Sequence, residues 1–320
     1  MFRITRALAA LCLTLAASAA SAQAGDSPVR IVVGFPPGGS ADTIARVVAD
    51  KLKDEFKRPV IVESRPGAGG RILAAALKNM PNDGSVMMIG PEALVTTNPF
   101  VFKKLSYEVS ELVPVSLVAD FPFALATGAE LGPKNFAEFA KIVRENPKRA
   151  DFGSPAAGSP LHFVGLMVGR GLGVDMLHVP FQGGAMLVTA LIGGQPTVGV
   201  NTLTDMIEMH RSGKLRILAV TGTQRAPLLP DVPTFDELGF KQVIRRGFFG
   251  MYAPVGTPSG VIAKWNAALR NVLQMPEVRD RLAPLGMAAR SSTPEELTKM
   301  AREDAVIWEP VIKASGFSVD

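Results

Sequence analysis

The chain has one cysteine and three histidines among its 320 residues, and these shortages exclude several kinds of site. The cysteine, Cys12, lies in a segment that we expect to be removed, which leaves no disulfide, cysteine-ligated metal or cysteine nucleophile. The histidines His162, His178 and His210 match no H-E-x-x-H or similar metal-binding spacing. We therefore expect no metal and no cofactor.

Concentrated basic charge and long apolar runs are also missing. The formal net charge is +5, and the longest basic runs are Lys103-Lys104 and Arg245-Arg246. Nucleic-acid binding needs a concentrated basic face, so we expect no nucleic-acid partner. After the first 24 residues no segment approaches eighteen uninterrupted apolar residues, so the mature chain is not expected to span a membrane.

The first 24 residues have the pattern of a signal peptide. A cationic start, Met1–Arg6, precedes the apolar stretch Ala7–Ala20, and Ala22-Gln23-Ala24 is a small-x-small cleavage pattern. The apolar stretch is too short for a spanning helix. We predict cleavage near residues 22–25 and export; the alternative is a cytoplasmic protein with an apolar N-terminal helix.

Short β-rich apolar runs alternate with helical patterns through the rest of the chain, which predicts an α/β fold with largely parallel sheets. Val113–Thr127 is long for one strand and is predicted to cross between two lobes, with Phe248–Ala253 as the return crossing. The predicted lobes are residues 25–122 with 246–320, and residues 123–245. A small ligand would lie in the cleft between them.

Two glycine-rich turns, one in each predicted lobe, join a strand to a helix. Unpaired N–H groups at a helix start, together with the helix dipole, attract an anion. Ser40 and Ser159 are the predicted N-caps, and Asp42 would repel an anion unless its carboxylate turns away. The candidate ligand contacts in these turns are Phe35, Pro37, Gly38, Gly39, Ser40, Asp42, Ser154, Ala157, Gly158, Ser159 and His162.

The glycines in these turns are expected to leave room for a ligand beside the backbone. A valine at Gly39 or Gly158 should therefore abolish binding and leave the fold intact, because its Cβ would take the place of the anion. The alternative for each turn is a tight strand-to-helix connection that binds nothing.

A third strand-to-helix turn, Val179–Ala185, adds two candidate contacts. Phe181 could pack on a ligand, and Gln182 could donate or accept a hydrogen bond. The alternative is a packed aromatic ring beside an ordinary helix start. Gly90, the last residue of the predicted strand Ser85–Gly90, is a further candidate contact.

Nucleotide binding and hydrolysis are the chemical alternatives. Ile72 stands where the third glycine of a dinucleotide fingerprint should be, and no G-x-x-x-x-G-K-[ST] sequence occurs. Ser154 and Ser159 lie outside any G-x-S-x-G pattern. A catalytic triad could still assemble in space from His162 or His178 and a distant aspartate.

Several motifs, in order along the chain, resemble those of the periplasmic solute receptors of tripartite tricarboxylate transporters, the bacterial Bug receptors. The resemblance extends from about Val29 to the C-terminus. Its motifs are Gly34–Asp42, Glu63–Gly70, Phe152–Ser154 with Gly158, Ser159 and His162, His178–Gly184, Gly193–Gln195, and Leu218–Thr221 with Pro230–Thr234.

The resemblance implies a two-lobed, flytrap periplasmic-binding-protein fold, type II-like, with two crossing connections. It implies a receptor that closes on a small organic acid and presents it to an inner-membrane tripartite tricarboxylate permease. We expect this receptor to be a monomer that binds no nucleic acid. The turns matching Phe35–Asp42 and Ser154–His162 would hold the carboxylate, and Phe181, Gln182 and Asn201 would line the far wall. The alternative partner is a membrane sensor kinase.

Two departures from the family pattern concern the ligand. Ser64 stands where the family usually has Asn, and Phe181-Gln182 where it has Tyr-Lys or Tyr-Arg. Loss of a cation and a hydroxyl implies a less charged or more apolar distal group. The expected ligands are mono- or dicarboxylates, including aromatic acids, rather than citrate.

Overall fold

Residues 27–243 and 246–320 are described by the structure, a computed structural model. The predicted signal peptide, residues 1–24, lies outside the described residues. Within the described ranges the chain forms an α/β fold with one six-stranded and one five-stranded sheet. No helix in these ranges has the length and apolar character needed to cross a membrane.

The strands and helices follow one another in the alternating order that the sequence predicts. The strands are β1 (Val29–Val33), β2 (Val60–Ser64), β3 (Val86–Pro91), β4 (Leu112–Phe121), β5 (Phe123–Gly128), β6 (Asp151–Ser154), β7 (Leu177–Pro180), β8 (Val198–Thr202), β9 (Leu215–Val220), β10 (Gly247–Pro254) and β11 (Ala288–Ala289). The helices are α1 (Ser40–Phe56), α2 (Arg71–Leu77), α3 (Ala93–Thr96), α4 (Asn98–Val101), α5 (Phe136–Glu145), α6 (Pro160–Leu172), α7 (Gly184–Ile192), α8 (Leu203–Arg211), α9 (Ser259–Gln274), α10 (Pro276–Leu282) and α11 (Pro294–Ser315).

The six-stranded sheet has the order β11-β4-β10-β3-β1-β2. Strand β1 pairs in parallel with β2 and β3, whereas β10 is antiparallel to β3 and β4. Helix α1 covers this sheet with the apolar face that the sequence predicts, since Ile44, Val48 and Leu52 are fully buried. Its last residue, Phe56, packs on Trp265 with ring centroids 4.6 Å apart.

The five-stranded sheet has the order β7-β6-β8-β5-β9. Strand β6 pairs in parallel with β7 and β8, and β5 is antiparallel to β8 and β9. Helices α6, α7 and α8 follow the three parallel strands, as α1, α2 and α3 follow those of the other sheet. The carboxyl ends of parallel strands meet at one edge of a sheet, so these helix starts gather there.

The chain passes from one sheet to the other at Pro122. Strand β4 ends in the first sheet at Phe121 and β5 begins in the second at Phe123, which confirms the predicted crossing within Val113–Thr127. The predicted return crossing at Phe248–Ala253 is wrong, because these residues belong to β10. All eight residues of β10 are buried, as expected of a central strand. The chain therefore returns to the six-stranded sheet between the end of β9 and the start of β10. We propose that residues 25–122 and 246–320 form one lobe and residues 123–245 the other.

The C-terminal helix α11 begins with a capping box, in which Thr293 Oγ1 accepts from the Glu296 N–H and Glu296 accepts from the Thr293 N–H. The segment after it contacts both halves of the chain. Phe317 packs against the His162 ring with centroids 4.4 Å apart, and Val319 forms a parallel bridge with Phe102. The C-terminus therefore joins α6 of the second half to α4 of the first.

Asn266 on α9 ties this helix to the first sheet, and its loss should destabilise the fold. Its Nδ2 donates to the carbonyl oxygens of Val115 at 2.8 Å and Ser292 at 2.7 Å. In the Asn266→Ala variant both acceptors lose this donor, so we expect the free energy of unfolding to fall by about 1–3 kcal/mol. Urea denaturation measures the change.

The control is Asn271→Ala on the same helix. Asn271 is exposed and makes one long hydrogen bond, 3.4 Å, to Glu55. Its removal should alter stability by less than about 0.5 kcal/mol. Equal losses in the two variants would contradict the role assigned to Asn266.

Candidate ligand-binding site

A cavity lies between the two sheets where the helix starts meet. It encloses about 730 Å³ of space between atoms, part of it open to solvent. The starts of α1, α6, α7 and α8 all line it, and three aromatic side chains, Phe121, Phe123 and Phe249, form an apolar wall. The predicted contacts that line it are Phe35, Gly39, Ser40, Ser159, Gln182 and Asn201.

A second space adjoins this cavity and shares Phe35, Ala156 and Gln182 with it. Two more predicted contacts, Ala157 and Phe181, line this adjoining space. Together the two spaces bring residues from all three predicted turns to one cleft. The remaining candidates, Pro37, Gly38, Gly90, Asp42, Ser154, Gly158 and His162, line neither space.

Asp42 folds back onto its own turn. Its Oδ2 accepts from the Gly38 N–H at 3.1 Å and from Arg46 Nε at 2.9 Å. Burial raises the pKa of Asp42, but the hydrogen bonds from Arg46 and Gly38 outweigh this and hold the pKa below its usual value. The carboxylate therefore turns away from the cavity.

The two predicted N-caps differ from expectation. Helix α1 begins at Ser40 itself, and the N-cap is Gly39. Ser159 is the N-cap of α6, but its Oγ donates to the Ala156 carbonyl at 2.7 Å and caps no N–H group. Neither serine hydroxyl therefore accepts a hydrogen bond from an N–H group in the first turn of its own helix.

The backbone at Gly158 packs against another element of the fold rather than against the ligand space. Its φ is +76°, and a Cβ there would lie 2.7 Å from Val101 Cγ1. The expectation that a side chain at Gly158 fills an anion's place is therefore wrong, because this face of the turn packs on α4. Gly90 is similar, since a Cβ there would lie 2.7 Å from Leu94 Cδ1.

Ser154, His162 and His178 form a buried polar cluster beneath the second turn. Ser154 Oγ lies 2.8 Å from His178 Nε2, His162 Nδ1 accepts from the Gly158 N–H at 3.1 Å, and the two rings stack at 3.9 Å. Burial lowers the pKa of His162 to about 3, with a further contribution from His178, and that of His178 to about 4. Both rings are neutral at pH 7, and their contacts hold the turn in shape.

Several backbone N–H groups at the helix starts have no acceptor. Within the described residues no acceptor is found for the backbone N–H groups of Gly39, Ala41, Leu161 and Ala185, and all four residues line the cavity. They lie at the starts of α1, α6 and α7, which follow strands of both sheets. An anion placed among them could accept from both halves of the protein.

Asp205 lines the cavity although its sequence position predicted no role for it. From the first turn of α8 its Oδ1 accepts from the Ser40 N–H at 2.7 Å, across the cleft. Burial raises the pKa of Asp205 to about 6, opposed by the hydrogen bonds from Ser40, Thr202 and Asn201. The spacing Thr202-x-x-Asp205 after a strand is a helix-start signal that could have indicated this position.

Glu92 is a second missed carboxyl group at the cavity wall. It is 5% exposed, and its Oε2 accepts from the Phe248 N–H at 3.2 Å. Burial raises the pKa of Glu92 to about 8, and the nearby Asp304 adds to the rise. At pH 7 the side chain is therefore mostly protonated and neutral.

Comparison with known proteins identifies the family. Residues 44–317 match the model of the tripartite tricarboxylate transporter family receptor. The chain belongs to this receptor family. The receptor is 30% identical over 291 residues to the protein BugT of Bordetella pertussis, covering 90% of this chain and 89% of that protein.

Solved structures agree with the receptor fold. The periplasmic binding protein BugD is 31% identical with a TM-score of 0.86, covering 91% of this chain and 98% of that one. MatC from Rhodopseudomonas palustris, solved with malate, is 30% identical with a TM-score of 0.83, and the match covers 89% of this chain and 98% of MatC. An R. palustris protein solved with adipate is 26% identical with a TM-score of 0.87, and the match covers 91% of this chain and 98% of that protein.

Glu92 should make the stability of the receptor fall as pH rises. The folded pKa of about 8 exceeds the ordinary value of 4.5, so between these values the unfolded chain is ionised while the folded chain keeps its proton. This costs about 1.4 kcal/mol of stability per pH unit. Glu92→Gln lacks this term, so its Tm relative to the native protein should rise from pH 5 to pH 8.

Thermal unfolding at several pH values measures this difference, with Glu145→Gln as an exposed control. The control should track the native protein at every pH. A constant difference between Glu92→Gln and the native protein would show that Glu92 is already ionised in the folded state.

Proposed function

We propose that the receptor captures one small carboxylated organic acid in the cavity between its sheets. The observation that carries the proposal is that unpaired N–H groups of Gly39 and Ala41 from one half, and of Leu161 and Ala185 from the other, line one cavity. Hydrogen bonds from both halves to one carboxylate would favour the closed arrangement, because they form only there. We expect micromolar affinity, about −8 kcal/mol.

The rest of the cavity suits the hydrocarbon part of such an acid. Phe35, Phe121, Phe123 and Phe249 supply an apolar lining. Among the described residues no lysine or arginine lines this cavity, and Arg71 lines only the adjoining space. Burial against aromatic rings stabilises an apolar or aromatic ligand body. This supports a mono- or dicarboxylate, including aromatic acids, over citrate; relatives solved with malate and adipate hold dicarboxylates.

We assign the carboxylate contacts to the α1 and α6 turns, and the far wall to Phe181, Gln182 and Asn201. In this proposal Pro37, Gly38, Asp42, Ser154, Gly158 and His162 shape the turns rather than touch the ligand. Gly90 is replaced as a cavity residue by its neighbours Pro91 and Glu92.

The proposal includes no catalysis. Ser154 is fully buried, and neither His162 nor His178 is hydrogen-bonded to a carboxylate among the described residues. Ser159 Oγ donates to a backbone carbonyl rather than to a histidine. A serine nucleophile needs a base that a third group holds in place, and access to substrate. His178 lies 2.8 Å from Ser154 but has no carboxylate partner among the described residues, and Ser154 is buried.

The proposal places the mature receptor in the periplasm as a monomer, after removal of residues 1–24. Its partner would be an inner-membrane permease of the tripartite tricarboxylate type. Support comes from the cationic and apolar pattern of the first residues and from the family itself, whose name describes a transporter receptor.

Gly39→Val should block the cavity without disturbing the fold. Gly39 has extended backbone, φ −90° and ψ 177°, and the nearest atom to a Cβ there is Asp205 Oδ1 at 3.9 Å. The valine side chain would therefore enter the ligand space. A thermal-shift screen of mono-, di- and tricarboxylic acids identifies binders, and calorimetry should show their affinity reduced at least about tenfold, 1.4 kcal/mol.

The matched control is Gly260→Val, where an added Cβ meets nothing within 4 Å and the position lies on α9, away from the cavity. It should keep the native affinity. Undiminished binding in a folded Gly39→Val receptor would refute the site assignment, and equally strong binding of citrate and benzoate would refute the assignment of ligand class.

A further inference from the structure

The carboxylate of Asp205 bridges the cleft between the two halves of the chain. Ser40 belongs to the first turn of α1 and Asp205 to the first turn of α8, 165 positions later in the chain. Their 2.7 Å hydrogen bond occupies one of the α1 donors from inside the protein. A side chain thus already holds the position that a ligand carboxylate would otherwise take at this donor.

Contacts within the second half of the chain fix the position of Asp205. Its backbone N–H donates to Thr202 Oγ1 at 3.3 Å, and Asn201 Nδ2 donates to the Gly184 carbonyl at 3.2 Å. Asp205 Oδ2 lies so close to Gly184 that any Cβ at that glycine would collide with it. The carboxylate therefore has a defined place in the wall of the cavity, where Asp205 remains partly exposed.

Asp205 also sets the charge of the cavity. Among the described residues that line it, Glu92 and Asp205 are the only acidic side chains, and none is lysine or arginine. Glu92 is neutral at pH 7, because burial raises its pKa to about 8. Within this cavity hydrogen-bond donors therefore meet the negative charge of Asp205, since Arg71 lines only the adjoining space. A second carboxylate beside Asp205 would be repelled.

We propose that Asp205 is a specificity-determining residue, which excludes a second ligand carboxylate from the α1 side of the cavity and favours a hydroxyl or ammonium group there. The inference rests on the proposed function, because it assumes one ligand carboxylate at the remaining N–H groups. It narrows the ligand class to acids with one carboxylate and a hydrogen-bond donor at the other end.

The test compares matched acids of four to six carbons: dicarboxylates, ω-hydroxy acids and ω-amino acids. Calorimetry at pH 7.5 is run on the native receptor, Asp205→Asn and a control, Glu208→Gln. Glu208 lies on the same helix, exposed and paired with Arg211. The control removes the same charge outside the cavity. Circular dichroism establishes that each variant is folded, and Asp205→Ser replaces Asp205→Asn if the latter is not.

The native receptor and Glu208→Gln should bind a hydroxy or amino acid at least about tenfold tighter than the dicarboxylate of equal length. Asp205→Asn should lose this preference through tighter dicarboxylate binding. An unchanged preference in Asp205→Asn would overturn the inference while the proposed function stands. Absence of binding by every acid to all three proteins would instead contradict the proposed function itself.

Discussion

The first turn of every helix leaves backbone N–H groups without partners inside the helix, and this constraint shapes the whole cleft. In this receptor the helices that follow the parallel strands of both sheets begin at facing edges, so their open donors collect in one place. Asp42 and Asp205 satisfy two donors of the α1 turn, and His162 satisfies one near α6. The donors left over belong to residues that line the cavity, which makes it suited to an anion.

Apolar packing stabilises the fold, whereas polar contacts join the two halves across the cleft. The fold is held by a continuous apolar cluster that runs through Phe121 and Phe123 on either side of the crossing at Pro122. The cleft is held by few polar contacts, of which the Ser40–Asp205 hydrogen bond is one. A ligand that is hydrogen-bonded to both sides would therefore add to the few polar contacts that join the two halves across the cleft.

Local sequence patterns predicted the alternation of elements, the crossing within Val113–Thr127 and the turns that line the cavity. They failed where the answer depended on contacts distant in sequence. Gly158 looked like a ligand-facing glycine, but it packs on Val101 of another element. Glu92 gave no signal of its own, and the Thr202-x-x-Asp205 spacing could indicate only a helix start at Asp205. The burial of both carboxyl groups and their partners, Ser40 and Phe248, depend on remote segments.

The most direct measurement is an experimental structure of the receptor purified with its natural solute, combined with mass spectrometry of that solute. The account predicts one acid in the cavity, with a carboxylate oxygen about 2.7–3.2 Å from backbone nitrogens of both the α1 and the α6 or α7 starts. A solute without an acidic group would contradict it. So would an acid held by only one of the two sheets.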